Sequence, residues 1–110
     1  VNIFRSQPWF NRSTATAVAG AATLDSPAGE ITSESLTTAG LGFYPLTLTN
    51  AYVNATSKIV ATVNNGTNST GAPAVARVTP SAGSLVIQIR NEAAVTAFNG
   101  TLVISFVVLG

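Results

Sequence analysis

Short runs of strict two-residue alternation, parted by Gly, Pro and Asn at intervals of about ten residues, constrain this chain more than any other feature. Leu46 and Leu48 alternate with Thr47 and Thr49, and Ile59, Ala61 and Val63 alternate with Val60 and Thr62. Side chains of an extended strand point to opposite faces in turn, so each run reads as a strand with one face buried. Residues 74–79 and 84–91 flank Pro80-Ser81-Ala82-Gly83, where Pro supplies a fixed φ and Gly a positive one, which predicts a hairpin. In its second arm Leu85, Ile87 and Ile89 share a face opposite Val86, Gln88 and Arg90. Asn99-Gly100 is a further turn before Thr101 to Leu109, which is apolar on both faces and is expected to be central or doubly covered.

The remaining segments are read more coarsely. Asp25-Ser26-Pro27-Ala28-Gly29 is a turn signal, and Glu30 to Leu36 reads as a hydroxyl-rich strand. Ser13 to Thr23 is a run of small residues with neither period and receives no assignment. Asn64 to Pro73 (NNGTNSTGAP) reads as a long polar loop projecting from one end. No stretch sustains a 3.6-residue period with caps at both ends. The expected fold is therefore all-β: a two-layer antiparallel β-sandwich or jelly roll of about seven to eight strands, with a small barrel as the alternative. At 110 residues there is room for one domain, placed at 13–110.

Residues 1–12, VNIFRSQPWFNR, stand apart. They hold Ile3, Phe4, Trp9, Phe10, Arg5 and Arg12 around Pro8, which removes an amide donor and biases Gln7 to extended geometry. One reading lets Trp9 and Phe10 cap the end of the domain's own core. The other is an extended docking arm in which Phe4, Trp9 and Phe10 anchor on a neighbouring subunit while Arg5 and Arg12 pair with acceptors there.

Chemistry is narrowed by what is missing. Without His or Cys there is no imidazole triad, thiol nucleophile, disulfide or common zinc or iron–sulfur site, and no cofactor or metal is expected. Glu30 and Glu34 would share one face of a strand about 13 Å apart, too far for paired acid and base work, and are read with Asp25 and Glu92 as surface groups. Lys58, the single lysine, stands at a strand start with no apolar pocket discernible around it. No catalytic residue is assigned, and the chain is read as non-enzymatic. Five N-x-[ST] sequons, at Asn11, Asn54, Asn65, Asn68 and Asn99, follow from loops rich in Asn and Thr, and are read as turn and solvating residues rather than glycan acceptors.

Charge is the anomaly. Five basic and four acidic residues leave a net charge of +1, which gives a polyanion or an anionic bilayer almost nothing to hold. Neither nucleic acid nor membrane is expected as a partner; the apolar runs Ala17–Ala22 and Leu102–Leu109 are far too short to span a bilayer as helices. The residues from Val1 lack the basic and apolar run of a signal peptide, so none is expected there. Charged residues are 8% of the chain, so the exposed surface must be largely Thr, Ser, Asn, Ala and Val. Such a surface is cheap to bury against protein because few ions need desolvating, which points to an oligomeric or lattice-bound molecule.

The segments GEITSESLTTAGLGFYPLTLTN, SKIVATVNNGTNSTGAPAVARVTPSAGSLVIQIRN and FNGTLVISFVV resemble the Thr-, Ala- and Gly-rich, cysteine-free strands of small bacteriophage virion proteins over about residues 29 to 108. The resemblance implies a β-sandwich structural protein of the particle, of the capsid decoration or cement type. Such a protein sits as a homo-oligomer, a trimer, on the outer surface of the capsid with the major capsid protein as partner. The arm lies outside the matched region. A receptor-binding or lectin-like module of a tail fibre or spike, using the Asn64–Pro73 loop, is the alternative. A secreted bacterial surface or filament subunit is a third.

Overall fold

A computed structural model describes residues 13–109. The arm assigned to 1–12, with Phe4, Arg5, Trp9, Phe10 and Arg12, lies outside the described residues. The fold is all-β. Among the described residues there are eight strands and no helix: β1 (Ser13–Thr16), β2 (Ala21–Thr23), β3 (Ala28–Thr32), β4 (Phe43–Thr49), β5 (Ile59–Asn65), β6 (Pro73–Ser81), β7 (Ser84–Asn91) and β8 (Leu102–Val108). They form two four-stranded sheets, sheet A in the order β1-β3-β8-β5 and sheet B in the order β2-β4-β7-β6.

The all-antiparallel expectation is corrected: both sheets are mixed, with β1 parallel to β3 and β2 parallel to β4. Apart from the β6–β7 hairpin, successive strands fall in different sheets, and the pairs two apart in sequence that lie side by side, β1–β3 and β2–β4, run the same way. Pairs an odd number apart, β3–β8, β4–β7, β5–β8 and β6–β7, are antiparallel.

Strand parity builds a single core. Tyr44, Leu46 and Leu48 of β4 and Leu85, Ile87 and Ile89 of β7 turn inward from sheet B. Ile31 of β3 and Leu102, Ile104 and Phe106 of β8 turn inward from sheet A, and all ten belong to one buried cluster. Strand β8 is central as expected, between β3 and β5; among the described residues its inner face is covered, while Val107 on the outer face is 42% exposed.

The small-residue run splits into β1 and β2 around a tight reversal. Val18 and Ala21 exchange two backbone hydrogen bonds (2.9 and 3.1 Å), and Ala19 and Gly20 both take positive φ, 52° and 77°. Two positive φ values at the centre of a two-residue turn match the right-handed twist of the strands it joins. This reversal puts β1 on the edge of sheet A and β2 on the edge of sheet B, with Ala17 buried between them.

Three boundaries differ from the sequence expectation. The 30–36 strand begins at Ala28 and ends at Thr32, because Ser33 interrupts the ladder: its N–H donates to Leu102 O (2.8 Å), but Leu102 N–H donates to Ser33 Oγ (2.9 Å) instead of to a carbonyl. Pro80 lies within β6, and the hairpin turn is Ala82-Gly83, with Gly83 at φ 79°. A proline is tolerated there because β6 is an edge strand. Pro45 lies in β4 on the side where β2 begins only at Ala21, opposite Thr47, so the missing donor has no strand to serve.

Candidate interaction surface

The outer face of sheet A is laid out in three rows by the register. Ala28, Val107 and Val60 form one; Thr14, Glu30, Ser105 and Thr62 the next; Thr16, Thr32, Val103 and Asn64 the third. Val60 is 53% exposed. Among these positions Glu30 is the single ionisable residue; the rest are β-branched, hydroxyl, amide or small side chains. Strand periodicity dictates this composition, since each residue alternates with a core residue and the chain has few charges to spend on the outside.

The outer face of sheet B differs. Phe43 and Arg90 are register partners, with the Arg90 guanidinium carbon 5.7 Å from the ring centroid, within cation–π range. Arg90 also lies 3.6 Å from Glu92, and its Nε is buried without a hydrogen-bond partner. Arg77 is exposed beside Gln88. Cationic side chains thus stand on the strands of sheet B and on none of the strands of sheet A, where Lys58 lies just before β5, among the described residues.

The expected projecting loop is corrected. Asn64 and Asn65 belong to β5, and residues 66–72 fold back onto 97–101. Thr67 and Thr101 exchange hydrogen bonds, each backbone N–H donating to the other's hydroxyl at 2.9 Å. Asn68, one of the sequon residues, is buried: its Nδ2 donates to Asn65 Oδ1 and Thr70 O, and its Oδ1 accepts Asn99 N–H at 2.7 Å. Ser69 N–H donates to Asn99 Oδ1 (2.8 Å). The loop approaches so closely that a Cβ on Gly100 would stand 2.7 Å from Asn68 N. The polar groups read as a free tip are spent on holding two loops together, and Asn68 is closed to glycan attachment. Asn54, Asn65 and Asn99 are exposed, and Asn54 Oδ1 accepts Thr56 N–H and Oγ1–H; Asn11 lies outside the described residues.

The carboxylates do not converge. Glu30 lies on β3 and Glu34 beyond its end; Asp25 Oδ1 accepts Ala51 N–H (2.9 Å). Glu34 is half-buried rather than a free surface group, and its Oε1 accepts the Tyr44 hydroxyl proton at 2.8 Å. Burial first, then the hydrogen bond to Glu34 and its negative charge, push the Tyr44 phenol above its ordinary range. Lys58 is exposed, its Nζ donating to Thr56 O. Among the described residues no three His, Cys, Asp or Glu side chains cluster as metal ligands, and no helix is long and apolar enough to cross a membrane.

Two further asparagines were not singled out from the sequence. Asn50 and Asn91 are fully buried, one at each end of the molecule. Asn50 Nδ2 donates to Ser26 O, and its Oδ1 accepts Tyr52 N–H. Asn91 Nδ2 donates to Thr38 O and Thr96 O, while its Oδ1 accepts Ala72 N–H and Ala93 N–H. Both continue the inward parity of their strands, after Leu48 and Ile89, and that parity was the available signal. Comparison with protein-family models, with curated proteins and with solved structures gives no match to this chain.

Proposed function

We propose that the chain is a non-enzymatic structural protein of a bacteriophage virion, a capsid decoration or cement protein whose copies assemble as a trimer on the outer surface of the head against the major capsid protein. In this reading the two sheets are the layers of a β-sandwich of jelly-roll character, successive strands other than the β6–β7 hairpin falling in opposite layers. The observation that carries it is the outer face of sheet A, three rows of Val, Thr, Ser, Ala and Asn around Glu30. Burying such a face against protein removes apolar area from water and desolvates few ions. A shell is reinforced by many such contacts without chemistry, each weak and all engaged together. Phe4, Trp9 and Phe10, with Arg5 and Arg12, supply the arm that clamps a neighbour. A glycan-binding role through residues 64–73 is the weaker reading, because that loop's amides and hydroxyls are already committed within the protein.

Electron microscopy of particles with the protein labelled tests the reading, together with deletion of residues 1–12. The expected result is density on the head for the intact chain and a folded, truncated chain that no longer stays on particles. Density confined to the tail, or full decoration by the truncated chain, contradicts it.

A further inference from the structure

The chain's two Asn-Gly pairs, Asn65-Gly66 and Asn99-Gly100, meet where residues 66–72 fold onto 97–101. At such a pair the backbone can cyclise on its own side chain: the glycine nitrogen attacks the asparagine Cγ to close a succinimide ring, and no Cβ obstructs it. Three conditions favour closure: a nitrogen free to lose its proton, a donor on the amide oxygen, and a proton source beside the departing nitrogen. The pairs differ in the first. Phe98 N–H donates to Thr38 O, Asn99 N–H to Asn68 Oδ1, Thr101 N–H to Thr67 Oγ1 and Leu102 N–H to Ser33 Oγ. Gly100 N–H, in the middle of this run, has no acceptor among the described residues, although Gly100 is buried. Buried backbone donors are rarely left so. Gly66 N–H, by contrast, donates to Thr101 O at 2.9 Å and must leave that bond before it can attack.

The Asn99 side chain meets the other two conditions through one residue, Ser69. Ser69 N–H donates to Asn99 Oδ1 (2.8 Å), the oxygen on which negative charge develops as the nitrogen adds. Ser69 Oγ lies 3.1 Å from Asn99 Nδ2, the nitrogen that departs. Asn65 Oδ1 also has a donor, Asn68 Nδ2 at 2.9 Å, but among the described residues no hydroxyl meets Asn65 Nδ2. Asn99 and Ser69 are both exposed, so water reaches the reacting amide.

We propose that Asn99-Gly100 is a self-processing site at which the folded chain converts Asn99 to aspartate and isoaspartate. Gly100 N gives its proton to solvent hydroxide and bonds to Asn99 Cγ, while Oδ1 takes the negative charge against Ser69 N–H. The Cγ–Nδ2 bond then breaks as the carbonyl re-forms. The nitrogen leaves as ammonia with a proton from Ser69 Oγ, which recovers one from water. Water opens the succinimide at either carbonyl, so the net change is a water molecule consumed and an ammonia molecule released. Either product adds a negative charge at position 99. The isoaspartate also adds a backbone methylene before Gly100, where a Cβ would already stand 2.5 Å from Thr67 Oγ1 and 2.7 Å from Asn68 N. That product therefore loosens the contact between the two loops. The chemistry needs no partner chain and does not depend on the virion reading.

The test incubates the intact chain at mildly alkaline pH, folded and in urea, and follows each Asn-Gly peptide by mass and by isoaspartyl methyltransferase labelling. In the folded chain Asn99 is expected to convert about tenfold or more faster than Asn65, whose attacking nitrogen must first leave a hydrogen bond. In urea that preference is expected to vanish. Ser69→Ala, at an exposed position, is expected to slow conversion of Asn99 by about tenfold or more and to leave Asn65 unchanged. Ser69→Thr, which keeps a hydroxyl, is expected to restore the rate. A preference for Asn99 in the folded chain no larger than in urea, or a rate at Asn99 that Ser69→Ala does not change, overturns the inference.

Discussion

Asn91 closes β7 with four hydrogen bonds from one buried amide, joining the 38, 72, 93 and 96 segments. Alanine there strands two N–H and two C=O groups away from water. Asn91→Ala is expected to cost about 2–4 kcal/mol, read as a lower denaturation midpoint at unchanged slope. Ala19 is the opposite case: at φ 52° it occupies a region that an L side chain with a Cβ enters at a cost, in a turn that favours Asn-Gly. Ala19→Asn is expected to stabilise by about 0.5–1 kcal/mol in the same assay. Tyr44 adds a pH dependence. Its folded-state value is raised above the ordinary 10.0, so its contribution is intact below pH 10.0 and is lost as pH rises beyond that through the folded-state value. Comparing alkaline denaturation of the parent and Tyr44→Phe checks this, the variant losing that component of the pH dependence.

At the scale of elements, period-two alternation was enough to find β4, β5, β6, β7 and β8, because each carries three or more large residues on its inner face or borders a Gly turn. β1 and β2 were illegible for a physical reason. They are edge strands of three and four small residues, held by parallel pairing to partners far along the chain, so local periodicity carries no trace of them. The end of β3 was missed because one hydroxyl, Ser33 Oγ, takes the place of a ladder carbonyl. Ser33→Ala leaves the buried Leu102 N–H without that acceptor and is expected to cost about 1–3 kcal/mol, with faster amide exchange at Leu102. The 66–72 loop was misread because composition gives polarity but not partners: whether Asn68 meets water or Asn99 depends on a contact 31 residues away.

For the whole molecule, the scarcity of charge was legible from composition alone, while its distribution was not. Only the register brings Val60, Val103 and Val107 onto one face with Glu30, and places Arg77 and Arg90 on the other sheet. If that face exists to be covered, a charge placed on it should cost assembly and not folding. Val107→Lys is expected to change stability by less than about 0.5 kcal/mol while shifting the chain to smaller species. The account's central claim, that this charge-poor surface is hidden by other polypeptides, is tested most directly by sedimentation equilibrium of the intact chain over a range of concentrations. A mass corresponding to several copies is the predicted result. A mass of one copy, 11.2 kDa, at every concentration would contradict it.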